Sequence, residues 1–100
     1  RTSHDFMALD FRVNSAAQGI QYTIIRGMEL TKAGVNDTHV HRLFIEANIS
    51  EERIRMAEQA LMDAKNNQPD HMDLWQSLES KIARLSKADN QEKPNSIMAS

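Results

Sequence analysis

The chain has 100 residues, 40% hydrophobic and 26% charged, with a formal net charge of -2 and a pI near 6.1. This is the composition of one globular domain; it excludes wholesale disorder, and it lacks the basic excess of a chain devoted to nucleic acid. Cysteine is absent, which removes disulfides, thiolate zinc sites and thiol catalysis together and suits a reducing, cytoplasmic setting. No apolar run approaches the ~20 residues that span a bilayer, so no membrane role is expected. The chain opens on Arg1 rather than methionine, as one without its tag or cleaved leader does.

Two patterns compete before residue 32. Phe6, Leu9, Val13, Ala17, Ile20 and Ile24 fall on one helical face. Met7, Leu9, Phe11 and Val13 also alternate like a strand, as do Ile20, Tyr22 and Ile24, so a β-hairpin over 7–25 turning through Asn14 to Gly19 fits as well. Ala16-Ala17-Gln18 and the helical remainder of the chain favour helix. Gly19 and Gly27 each cost a helix interior about 1 kcal/mol, which predicts a break at one of them.

Ala33-Gly34-Val35 predicts a turn, with Gly34 in the left-handed conformation that ends a helix. Asn36 or Asp37 then caps the next helix, whose apolar face is Val40, Leu43, Phe44 and Ala47. Ala47 to Ser50 reads as a bend, with a continuous helix through it as the alternative. Ser50, backed by Glu51 and Glu52, reads as the cap of a helix carrying Ile54, Ala57, Leu61 and Ala64. Asn66-Asn67-Gln68-Pro69 stops that helix, because proline disfavours helix in the residue before it. Asp70 offers a further cap, and Leu74, Leu78, Ile82 and Leu85 form the last stripe with Trp75 beside it. From residue 87 to 100 the apolar period is lost, with Ile97 and Met98 its only apolar hooks. The expected architecture is therefore all-α: a single domain over 1–86, a bundle of four to five helices built on an antiparallel helical hairpin, and a flexible tail over 87–100.

Residues 38–85 resemble a tetratricopeptide-like helical hairpin, a unit that repeats at a fixed period along the chain. Ala57 and Leu61 stand at the A-x3-F spacing, Ala64 follows in a small-residue position, and Pro69 ends the helix. Trp75 and Leu78 match W-x2-L in a following unit; one repeat length earlier stand His41 and Phe44. Glu79 and Ile45 depart from the small residue that pattern uses, and Asn48 from its aromatic. The resemblance implies a scaffold that holds a partner helix or peptide in a groove. A second stretch, "AGVNDTHVHR", resembles the turn and second helix of bacterial helix-turn-helix repressors; read over 28–43, it would face Asn36, Thr38, His39 and Arg42 to DNA. Leu30 and Glu29 depart from that pattern, and Asp37 would repel phosphate.

Chemistry has few footholds. His39 and His41, two apart on a helix, point to different faces and do not chelate one ion, so no metal is expected and both read as solvent-exposed. The common nucleotide, hydrolase and metalloprotease motifs are missing, and Glu46, Glu51, Glu52 and Glu58 read as a solvated face. The expectation is no enzyme and no cofactor. Six methionines suit an adaptable binding surface or core filler. The favoured function is a small protein-binding adaptor or chaperone-like module that holds a partner helix, or that binds a second copy of itself through the same surface. The groove is expected among the 38–49, 51–66 and Trp75 helices, with Phe44, Arg53, Met56, Met62, Lys65 and Trp75 as partner-binding residues; Trp75 reads either as such a hot spot or, by preference, as a core anchor. The alternative is a DNA-binding regulator using 36–43.

Overall fold

Gly19, at φ +93°, divides what would otherwise be one N-terminal helix. The computed structural model describes residues 2–99, with side chains for residues 3–87. Its elements are α1 (Thr2–Gln18), α2 (Ile20–Lys32), α3 (Thr38–Ser50), α4 (Ile54–Asn67), a 3-10 turn at Pro69–His71, and α5 (Met72–Ala99). The fold is a small all-α bundle, as expected, and the hairpin over 7–25 is corrected to two helices. Phe11 and Tyr22, which the hairpin would have placed on its two strands, stack across α1 and α2 with centroids 6.3 Å apart. The tail expected over 87–100 lies, beyond Lys87, outside the described side chains.

The turn after α2 follows the sequence. Gly34 takes φ +86°, and Val35 N–H reaches back to Leu30 O at 3.0 Å. Leu30 and Val35 share one apolar cluster, the contact that accompanies this helix end. Asp37 caps α3, its carboxylate accepting from the N–H groups of His39 at 2.9 Å and Val40 at 3.2 Å.

The next boundary does not. Ser50 is the last residue of α3 and caps nothing; α4 begins at Ile54 with Arg53 before it and no side-chain cap. Glu52 makes the turn at φ +58°, and Arg53 N–H reaches Asn48 O at 2.9 Å. Past Ala47 the helix runs on without the expected bend. Asn48 is buried and donates to Phe44 O at 2.9 Å, and Ile49 packs against the core. Asp70 lies within the 3-10 turn rather than at a helix cap.

Sequential helices pack on one another, and α3 also touches both α1 and α5. This sets α1, α3 and α5 in one layer and α2 and α4 in the other. Two apolar clusters fill the interior. The smaller holds Ala8, Phe11, Leu30, Val35 and Val40. The larger runs from Ile24, Phe44 and Ile45 through Ala57, Leu61 and Ala64 to Trp75, Leu78 and Ile82. The stripe expected on α1 is the wrong one: Phe6, Leu9 and Val13 face out, Ala17 and Ile20 are exposed, and Ala8 and Phe11 are buried instead.

Candidate partner-binding site

Gly27 sets the distance between α2 and α3. A Cβ there would lie 2.7 Å from Phe44 Cδ1 and 3.1 Å from Phe44 Cβ, so only glycine lets α2 sit against that ring. Phe44 thus becomes the floor of a groove whose walls are α2 and α4. This groove has a volume of about 320 Å³; Met28, Phe44, Met56 and Ala60 supply its apolar surface, and Lys32 and Asp63 stand on opposite walls. A second cleft, about 370 Å³, lies between α4 and α5 over Leu61 and Ile82. Met62, 59% exposed, and Lys65 line it, and Lys65 Nζ bridges it to Glu79 at 3.0 Å.

The six partner-binding candidates therefore separate. Phe44 and Met56 belong to the α2–α4 groove, and Met62 and Lys65 to the α4–α5 cleft. Arg53 is exposed at the start of α4. Trp75 is fully buried in the core, its Nε1 donating to Gln68 O at 2.7 Å, and it lines neither groove. Met28 and Lys32, on α2, were not among the candidates. Their signal is a one-turn spacing beside Gly27, legible only once Gly27 is known to face another helix.

Of the four residues of the DNA alternative, Asn36 and Thr38 join a polar knot between two turns, and His39 and Arg42 lie outside it. Asn36 donates to Asn67 O at 3.2 Å and accepts from Gln68 Nε2 at 3.0 Å. The Thr38 hydroxyl donates to Gln68 Oε1. His39 is half-buried, and Arg42 pairs with Glu46 at 3.1 Å on the same helix.

His41 corrects the expectation of an exposed side chain. It is buried, its Nε2 lies 3.1 Å from Asn36 Oδ1, and its ring meets Trp75 edge-on at 6.2 Å. Burial pulls its pKa below the usual 6.5, against the opposing pull of Asp63 and Asp37. The reason for the miss is a neighbour distant in the sequence: Trp75, on α5, covers the ring and takes it out of water.

Among the described residues no three His, Cys, Asp or Glu side chains stand together as metal ligands, and no helix is long and apolar enough to cross a membrane. No family model matches this chain, and no curated protein or solved structure matches it either.

Proposed function

We propose that this chain is a protein-binding module that holds an amphipathic helix or peptide of a partner in the groove between α2 and α4, in a cytoplasmic setting and without enzymatic activity. The observation that carries this reading is the groove itself: a floor of Phe44 flanked by Met28 and Met56, with a cation on one wall and a carboxylate on the other. Methionine adapts to the shape of an incoming side chain, and opposite charges at a rim set the direction of a bound segment.

A repeat-like architecture supports the same reading. Buried positions recur at the tetratricopeptide period: His41 with Trp75, Phe44 with Leu78 and Asn48 with Ile82 in one layer, Thr23 with Ala57, Gly27 with Leu61 and Leu30 with Ala64 in the other. Stacked hairpins of this kind present grooves between successive helices of a layer. On this reading the tetratricopeptide spacing extends over α2 as well, where the sequence shows no motif. An adaptor or chaperone-like role follows from the groove. The DNA alternative ranks below it, because Asn36, Thr38 and Arg42 are already engaged by neighbouring side chains and Asp37 stands at the helix start.

The test is a selection of displayed helical peptides against the whole chain, followed by titration of the winners against Met56→Glu. Met56 is only partly buried, so the variant keeps its helical circular dichroism and loses peptide binding by tenfold or more. Winners that bind Met56→Glu as tightly as the parent place the site elsewhere. Salt-sensitive binding of a labelled duplex, lost on Arg42→Ala, would instead favour the DNA alternative.

A further inference from the structure

Helix α1 is apolar on two opposite sides. Ala8 and Phe11 are buried in the smaller cluster, while Phe6, Leu9 and Val13 form a second stripe, 68%, 54% and 61% exposed. A helix apolar on both sides has neighbours on both sides. The other end of the stack differs. Where α2 and α3 bury Ile24, Ile45 and Ala47, the corresponding positions of the next repeat carry exposed Glu58, Glu79 and Lys81. A charged terminal face closes a helical stack to further packing. The stripe on α1 carries no such charge.

The charges beside that stripe say what covers it. Asp5 and Arg12 are both exposed and stand two helical turns apart, on one flank of Phe6, Leu9 and Val13. Set a second α1 antiparallel to the first, with the two-fold axis at Leu9. Leu9 then meets Leu9, while Phe6 with Val13 and Asp5 with Arg12 of the second copy come within one residue of level, an offset of about 1.5 Å that their side chains span. In a two-fold antiparallel pair like flanks face each other, so the ion pair forms twice; a parallel pair separates the flanks and loses both. We infer that the chain forms an antiparallel two-fold dimer through the outer face of α1. Three apolar side chains per copy make a small interface, so the dimer is weak and concentration-dependent.

Sedimentation equilibrium of the whole chain, from micromolar to sub-millimolar concentration, tests this. The parent shifts from monomer to dimer, and Leu9→Glu, which alters an exposed residue, stays monomeric with unchanged circular dichroism. Asp5→Arg and Arg12→Asp alone each weaken dimerisation by about tenfold, because each sets like charges together twice. Mixed, the two single variants form a heterodimer in which both contacts again pair opposite charges, because one copy presents two cations and the other two carboxylates. A parent that stays monomeric, a Leu9→Glu variant that dimerises like the parent, or a mixture with no heterodimer overturns the inference. The α2–α4 groove is separate from this face, so Met56→Glu still dimerises and Leu9→Glu still binds peptide.

Discussion

His41 shows how much a single position depends on its surroundings. It occupies a fully packed place between Asn36 and the Trp75 ring, and it is neutral there because charging it would strip water from a cation. An unfolded histidine gains its proton near pH 6.5, and His41 in the folded chain gains it only at lower pH. Between those values the unfolded chain binds more protons, so stability rises with pH and is lost as pH falls below about 6.5. Thermal melts at pH 7.5 and 5.5 check this. The melting temperature falls at the lower pH, and in His41→Gln that fall is smaller, whatever the nearby Asp63 and Asp37 contribute. Equal falls in both proteins would show that His41 is not the responsible group. Sequence spacing sets His41 one tetratricopeptide period before Trp75, yet its polarity alone points to solvent.

At the scale of elements, helix ends that rest on one residue's own chemistry were legible. Gly34 ends α2 because a left-handed turn costs glycine little, and Asp37 caps α3 because a short carboxylate reaches two orphan N–H groups. Ser50 had equal credentials as a cap and was overruled by the turn at Glu52. The two glycines that looked alike do different work: Gly19 breaks a helix, and Gly27 lets two helices touch. Gly27→Ala tests the second role. Alanine favours helix by about 1 kcal/mol, but its methyl would meet Phe44 near the backbone end of the side chain, where the ring cannot swing aside. The expected result is a net loss of about 1–2 kcal/mol in chemical denaturation. A stabilised variant would mean that α2 and α3 can separate without cost.

At the scale of the whole molecule, α3 is the shared element. It contributes Val40 to the smaller cluster and Phe44, Ile45 and Ala47 to the larger one. Helix α1 is held by the smaller cluster, so it is the part that opens most readily. Phe11→Ala removes that cluster's largest side chain, fully buried in the fold, at a cost of about 3–5 kcal/mol. Hydrogen exchange then shows the α1 amides losing protection while those of α4 and α5 keep theirs. Uniform loss across all helices would show one cooperative unit instead.

The amino-acid sequence by itself determined the helical class, the stop at Pro69, the Gly34 turn and the repeat spacing of His41 and Trp75, because each follows from local backbone preference or from periodicity along the chain. It also singled out Phe44 and Met56, which line one groove. Only the tertiary structure decided which of two apolar stripes on α1 turns inward, and that Met28 and Lys32 join the groove. Periodicity shows that a helix has an apolar face. When it has two, the inward one is the one its neighbours cover, and here Leu30, Val35 and Val40 cover Ala8 and Phe11.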